Sequence, residues 1–565
     1  MSAHTSPQAD DRPEPVDLCH HLSRATRARQ ASSVKAFYKY FAIPGIGQLA
    51  GGLPNSSYFP FDTLEAQVAH PDRWKPCSSH DQAHASQDPP DPTSKPPPRP
   101  QSHLVVPHTS PETNPLRKID LDSALQYGTA QGYPPLYGFV RDFTRNHLHV
   151  NCPYRDGPEV VLTCGNTDGF AKTLMALTDE WSAEKDCVHD RDALLVEKFC
   201  YMNAIQTARP RGLNIVPVEV DDEGMLAEGP GGLRQVLENW DFTKGRMPRL
   251  MYTVTMGQNP TSGVLSLHRR RQLYALCCRH DIIIIEDDPY WYLQYPSGGP
   301  PRPSHFLNHE PHPPGWKSSG SAFLDSLVPS SLSIDSQGRV IRLDTFSKTI
   351  APGCRLGWLT AQPRLIERLL RITETSTQQP SGFVQATVAQ LLLGPGAPLP
   401  AWTRWLSGLR GAYQRRAHQL CTILAAGAIL AAPAPAADPT WTLLHPTRLY
   451  SFARPAGGMF VWLRVGFASH PLHAHYAARG QAARLARALW VWWTTAPFRV
   501  LVAPGGIFAA SGAVAPAAWP FYRVCFAAVG EAELRGVAGA LVEGVRAFWE
   551  VRDARVVEGL LGDDD

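Results

Sequence analysis

Through the middle of the chain, short apolar runs alternate with amphipathic stretches. Five runs stand out: Val160–Cys164 (VVLTC), Ala193–Val196 (ALLV), Leu250–Val254 (LMYTV), Ile282–Ile285 (IIII) and Val340–Leu343 (VIRL). Runs this short and this apolar read as strands buried on both faces, and the helical stretches between them predict βαβ units and a parallel sheet. From about residue 400 the pattern changes to Ala- and Trp-rich helical segments with short runs at Met459–Arg464, Arg499–Ala503 and Tyr522–Phe526. That pattern suits a smaller α+β domain, with a boundary near residue 395. The expected fold class is α/β: a large domain with a mostly parallel sheet sandwiched by helices, plus the smaller C-terminal domain.

Proline interrupts this pattern. The chain holds 52 prolines in 565 residues, well above the usual ~5%, and they cluster. Residues 71–118 show no apolar periodicity and read as a disordered, proline-rich insert in extended or polyproline conformation. Residues 296–333 read as a second insert, expected to be a surface excursion. The Ala/Pro tract around 425–440 is a third weak zone, and the terminal GDDD is expected to be a solvated tail.

At 565 residues the chain is several times the ~100–150-residue domain mode, so more than one core is expected. The 54 basic and 51 acidic side chains leave a net charge of +3, too small a field for nucleic-acid binding. No apolar run approaches the ~20 residues of a membrane-spanning helix. The 11 cysteines are an odd count without CxxC or paired His/Cys spacing, so neither a disulfide framework nor a metal site is expected. Asp10, Asp11, Glu14 and Asp17 make the start unlike a transit or signal peptide, and a cytoplasmic location is expected. Cys277, Cys278 and the Trp490–Trp493 cluster read as core packing.

Ligands of an open parallel sheet bind beyond the carboxyl ends of its strands, and the tails of the five runs are selectively polar. Gly165-Asn166-Thr167 precedes a helical stretch and offers N–H groups and a positive dipole end to an anion. Glu197 and Tyr201 follow the second run; Gln258-Asn259-Pro260 the third; Glu286-Asp287-Asp288-Pro289-Tyr290 the fourth; and Asp344-Thr345-Phe346-Ser347-Lys348 the fifth. Each tail alone reads as a turn or helix cap. Together they supply a phosphate cradle, an aromatic ring, an amide, a carboxylate and a lysine, the groups that pyridoxal phosphate requires.

At these residues the sequence resembles the class I aminotransferases of the fold-type I pyridoxal-phosphate enzymes, and more narrowly the fungal aromatic amino acid and 2-aminoadipate aminotransferases. The likeness is carried by Leu49–Ala66 (LAGGLPNSSYFPFDTLEA), Ala124–Leu136, Gly257–Gly263 (GQNPTSG), Ile284–Tyr295 (IIEDDPYWYLQY), Arg342–Trp358 (RLDTFSKTIAPGCRLGW) and Pro455–Leu463 (PAGGMFVWL). It implies an N-terminal arm and the start of the small domain over 1–70, a cofactor-binding domain over 119–395 and the small domain over 396–565. It makes Lys348 the Schiff-base lysine and proton shuttle. Asp287 would pair with the pyridine nitrogen, Asn259 and Tyr290 with the ring hydroxyl, and Tyr201 would stack on the ring. Asn166, Thr167, Thr345 and Arg355 would hold the phosphate, with Tyr127 reaching it from the partner of a homodimer that shares its active sites. Arg523 would clamp the substrate carboxylate, and Gly52 and Leu53 would close over the substrate.

The implied activity is a ping-pong transamination from phenylalanine, tyrosine or tryptophan to a 2-oxo acid such as 2-oxoglutarate. A 2-aminoadipate or kynurenine transaminase is the alternative. A lyase on the same fold, or a cofactor-sensing transcription regulator, is disfavoured: no segment suits a DNA-binding domain.

Overall fold

The computed structural model describes residues 10–32, 40, 43, 45–47, 49, 52–76, 101–295, 315–394, 398–430 and 446–562. The first described segment is a strap, residues 10–28, ending in the short helix α1 (Arg24–Ala28). The strap runs along the large sheet: Val16 N–H donates to Gln337 O, Ser23 N–H donates to Ala176 O, and Leu18 and Leu22 are buried in the main core. Strands β1 (Thr63–Ala69) and β2 (Gln101–Pro107) then form an antiparallel hairpin-like pair.

β2 corrects one expectation. Its residues lie inside the stretch read as a disordered insert, yet Leu104 and Val106 are buried, two residues apart as a pleated strand requires. Flanking prolines hid this short alternation. Residues 77–100 of the same stretch lie outside the described residues.

The large sheet has seven strands: β3 (Glu159–Thr163), β4 (Ala193–Glu197), β5 (Asn214–Val218), β6 (Leu250–Thr253), β7 (Ile283–Asp287), β8 (Val340–Thr345) and β9 (Gly357–Ala361), in the spatial order β3-β9-β8-β7-β6-β4-β5. All neighbours run parallel except β9, which is antiparallel to β8 and β3. The five expected strands are present within about a residue or two of their predicted ends. β5 and β9 were not expected, because Asn214–Val218 carries a proline and Gly357–Ala361 begins on a glycine.

Helices α2 (Asn166–Leu177), α3 (Met202–Ala208), α4 (Leu267–Arg279) and α5 (Pro363–Glu374) cover the sheet. In α5, Leu365, Ile366, Leu369 and Ile372 are buried, a stripe at i, i+1, i+4 and i+7 that seals one face of the helix onto the main core. Helix α6 (Gly382–Leu393) leads to the 30-residue α7 (Pro398–Gly427). Trp402 and Leu406 of α7 join one core cluster, and Leu420 and Leu424 join the other, so this helix couples two cores.

The C-terminal sheet holds β10 (Tyr450–Ser451), β11 (Phe460–Val465), β12 (Ala503–Pro504) and β13 (Phe521–Cys525), all antiparallel, in the order β10-β11-β13-β12. Helices α8 (Ala483–Thr494) and α9 (Glu531–Phe548) cover it, with Trp493 fully buried between them. Only the end of the predicted 499–503 strand forms: Arg499 adopts a left-handed backbone at φ +52, which stops extension until Ala503.

The second insert departs from expectation in its described half. Residues 315–323 are largely exposed, as expected of a surface excursion, but 324–333 are not: Leu324, Leu327 and Val328 are buried in the second core, and Ser331 donates from both N–H and Oγ to Glu286. Three apolar side chains in one turn suffice to dock it, although serine and proline dominate the surrounding composition. Residues 296–314 lie outside the described residues, as do 431–445 of the Ala/Pro tract and the last three residues of the tail.

Candidate active site

Five parallel-strand tails and the C-terminal sheet meet at one cavity of 430 Å³. It is lined by Asn166, Thr167, Tyr201, Asn259, Asp287, Tyr290, Thr345, Lys348, Arg355 and Arg523, ten of the residues singled out from the sequence. Tyr127, Gly52 and Leu53 are not among its lining residues. Tyr127 is 59% exposed, and Gln126 beside it donates to Pro54 O at 2.7 Å, so the arm and the Tyr127 loop sit together elsewhere on the surface.

The floor is set by β7. Its last residue, Asp287, is buried and accepts from Tyr252 OH at 2.7 Å and from Asn166 Nδ2 at 2.6 Å. Burial pushes its carboxyl up to about 6, against the pull of these two neutral donors. Asn166 therefore spends its side-chain amide on Asp287 and on Leu343 O, while its Oδ1 is buried without a partner. What Asn166 and Thr167 add for an anion is the first turn of α2, whose N-cap Gly165 sits at φ +93. A Cβ on Gly165 would fall 2.6 Å from Arg355 Nη2, so glycine lets the guanidinium lie against the helix start.

Lys348 ends a single helical turn, Phe346–Lys348, that follows β8; Thr345 caps it by accepting the Ser347 N–H. Burial lowers the Lys348 ammonium from its ordinary value, with Arg523 and Arg355 pushing the same way. Arg355 holds a left-handed backbone at φ +45 and donates to Pro352 O and Cys164 O. Arg523 projects from β13. It donates from Nη1 to Asn259 Oδ1 at 2.7 Å and lies over the rings of Phe460 (4.4 Å) and Phe508 (4.8 Å), yet its Nε is buried without a partner. Among the described residues, none of these three cations has a carboxylate partner.

Tyr201 stands at the entry of α3 and accepts from Asn203 Nδ2 at 2.8 Å. Tyr290 is buried against Phe460, and burial raises its hydroxyl far above the ordinary range. Asn259 precedes Pro260 through a cis peptide bond. Glu197, at the end of β4, accepts from Thr253 and Val254, and burial pushes it up to about 7.

Behind β7 the neighbours of Asp287 point away from the cavity, as strand alternation demands. Glu286 and Asp288, with Asp344, surround Arg342: its Nη1 lies 3.0 Å from Glu286 and 2.9 Å from Asp288, and its Nε 2.9 Å from Asp344. Arg270 adds a 2.5 Å contact to Glu286, and Trp291 covers Arg342 at 4.4 Å. Of the four acids in these two tails, Glu286, Asp287, Asp288 and Asp344, only Asp287 lines the cavity.

The sequence reading missed Tyr252. It lies inside a run counted as apolar, and the available signal was its hydroxyl, which a buried strand must pair. Met459, Phe460 and Cys525 also line the cavity without having been singled out.

The sequence profile of the aminotransferases of class I and II matches residues 155–541. An aromatic amino acid aminotransferase of Schizosaccharomyces pombe is 35% identical over 458 residues, covering 80% of this chain and 83% of its own. An L-tyrosine:2-oxoglutarate aminotransferase of Tapinella panuoides is 32% identical, covering 81% and 76%. Among solved structures, aminotransferase Aro8 from Candida albicans superposes with a TM-score of 0.72 at 30% identity, covering 96% of this chain and all of that one. The chain belongs to the class I and II aminotransferases.

Proposed function

We propose that this chain is a pyridoxal-phosphate-dependent transaminase that moves the amino group of an aromatic amino acid to a 2-oxo acid such as 2-oxoglutarate. The observation that carries the reading is the cavity's charge: three cations without carboxylate partners among the described residues, around one carboxylate held by neutral donors. A dianionic phosphate and a substrate carboxylate are the complement this leaves open. The orphaned Arg523 Nε and the glycine cradle at Gly165 fit the same two anions. The names of the relatives, aromatic amino acid and tyrosine aminotransferases, support the aromatic donor.

On this reading the first turn of α2, Thr345 and Arg355 hold the phosphate, the guanidinium offering its planar fork to two oxygens. Asp287, ionised, accepts from the protonated pyridine nitrogen; Tyr252 and Asn166 keep it ionised and fix its plane. Bound in this way, the cofactor supplies an electron sink for the bonds at the substrate's Cα. Asn259 and Tyr290 hydrogen-bond the ring hydroxyl, and Tyr201 packs on the ring. Arg523 binds the substrate carboxylate and so orients the Cα–H bond. Lys348, its ammonium destabilised by burial, carries a proton from that carbon as a neutral amine and returns it.

A homodimer belongs to the same proposal: Tyr127 of the partner subunit would complete the phosphate site, and Gly52 and Leu53 would cover the substrate. Support comes from the exposed Tyr127 and from the bond of the neighbouring Gln126 to Pro54 O, both away from this chain's own cavity. The cytoplasmic location expected from the sequence completes the reading; among the described residues no helix is long and apolar enough to cross a membrane.

The test is spectroscopic. Protein loaded with pyridoxal phosphate is mixed with excess phenylalanine, then with 2-oxoglutarate. The expected result is loss and return of the lysine-bound cofactor band, with phenylpyruvate and glutamate formed in turn. No response to phenylalanine, tyrosine or tryptophan, with a full response to 2-aminoadipate or kynurenine, would overturn the aromatic assignment.

A further inference from the structure

We propose that His20, His21 and Asp281 form a binding site for a zinc-type divalent cation, at the end of the large sheet opposite the cavity. Asp281 stands just before β7, and Asp287 ends that strand. At about 3.3 Å per residue the two lie roughly 20 Å apart, so this site is separate from the aminotransferase chemistry. The N-terminal strap brings both histidines to Asp281: His20 Nε2 lies 2.6 Å from Oδ2 and His21 Nε2 lies 3.1 Å from Oδ1. The three ligand atoms all fall within 4.8 Å of one another. Two imidazoles and a carboxylate are the N/O set that zinc-type ions take with three protein ligands, leaving a fourth position for water.

A second observation points the same way. His21 is 1% exposed, yet among the described residues neither of its ring nitrogens makes a hydrogen bond, Nε2 having only its 3.1 Å ion-pair approach to Asp281. Orphaned buried polar atoms are rare and costly, and a cation at Nε2 would satisfy this one. His20 is 54% exposed on its side chain, which opens the cluster to ions from solution. Metal–ligand distances of about 2.0–2.2 Å set donor spacings of roughly 3.3 Å, so the 2.6 Å approach of His20 to Asp281 must open by less than about 1 Å while the 3.1 Å approach of His21 already fits. The solvent-facing His20 has room to do so.

Two arginines flank the cluster. Arg339 Nη1 lies 2.7 Å from Asp281 Oδ1, and Arg249 Nη1 donates to His20 O at 3.4 Å. Arg339 orients the carboxylate and leaves Oδ2 to the metal, while its charge weakens the affinity, so the ion exchanges. Occupancy ties the strap to the base of β7 and adds a fixed point to the anchors at Leu18 and Leu22.

The experiment uses the full-length holoenzyme, stripped with chelator and dialysed against zinc chloride, with His20→Ala and Asp281→Asn alongside. Bound zinc is counted by atomic emission, and trypsin cleavage in the strap, at Arg24 or Arg27, is timed. Wild type is expected to take up one more equivalent than either variant, and zinc to slow strap cleavage in wild type alone. Losing a metal's outer partner already weakens affinity roughly 10–100-fold, so each variant should bind at least about tenfold more weakly. Transamination should be unchanged in His20→Ala, which keeps an exposed position and the folded core. Equal zinc uptake in all three proteins, or none in wild type, would overturn the site and leave a metal-free His–Asp contact.

Discussion

Two groups of charges share β7, one on each side. Behind the strand, Arg270 and Arg342 are enclosed by Glu286, Asp288 and Asp344, every side chain at 2% exposure or less. Burial alone would raise all three acids. The two guanidiniums outweigh it at Glu286, held at about 2, but not at Asp344, raised to about 6, nor at Asp288, also raised. In front, Lys348, Arg355 and Arg523 face one carboxylate that none of them touches. The rear group is closed on itself and serves the fold. The front group is left electrostatically incomplete, as a site for two anions must be, at some expense to the ligand-free protein's stability.

This contrast can be broken or sharpened by four substitutions. Lys348→Ala should reduce transamination on the order of 10⁴-fold, the upper range for a proton-transfer group, as measured by phenylalanine-dependent glutamate formation. Retention of activity within about tenfold would detach the front group from catalysis. Arg342→Met should lower the unfolding free energy by about 3–5 kcal/mol, because it strands Asp288 and Asp344 and leaves Glu286 with Arg270 alone; urea denaturation reads this directly. Arg523→Lys should raise KM for the amino acid about 10–100-fold with little change in stability, since lysine keeps the charge but loses the planar fork.

The smallest effect is a pH shift. Asp287 must be ionised to hold the ring nitrogen, and the ligand-free protein protonates it as pH falls through about 6. Its folded value is raised, so the proton it holds stabilises the folded chain at low pH, and that contribution is lost as pH rises from its ordinary value of 3.8 to about 6. Tyr252→Phe removes a donor to the charged form and moves the value higher. Cofactor binding should then fail on the acid side about one pH unit earlier, a shift of about 1.4 kcal/mol. An unchanged acid limb would show that Tyr252 does not support Asp287.

Most of the front group was legible in the sequence because it lies in contiguous strand tails, where five apolar runs each end in a polar signature. Lys348 to Arg355 and Asp287 to Tyr290 are local spacings. The rear group was not legible as such: Arg270, Glu286 and Arg342 come from three distant segments, and only strand alternation decides that Asp287 faces forward while Glu286 and Asp288 face back. The same distance hid the His20–His21–Asp281 cluster, whose ligands are about 260 residues apart in the chain. Composition misled where a few apolar residues sit in proline- or serine-rich surroundings, as at Leu104 and Val106 or at Leu324, Leu327 and Val328. There the burial of two or three side chains outweighed what the surrounding residues suggested.

The central claim is that the front charges exist for ligands and the rear charges for the fold. Its most direct test is the urea-unfolding free energy of ligand-free Lys348→Met beside wild type. The substitution keeps the apolar stem and deletes only the ammonium, which has no carboxylate partner among the described residues. An unfolding free energy equal to wild type within about 0.5 kcal/mol, or higher, is the predicted result, since ordinary substitutions away from a needed contact stay in that range. A loss near the ~3–5 kcal/mol expected for a broken buried pair would contradict it, and would mean that the lysine is paired within the fold.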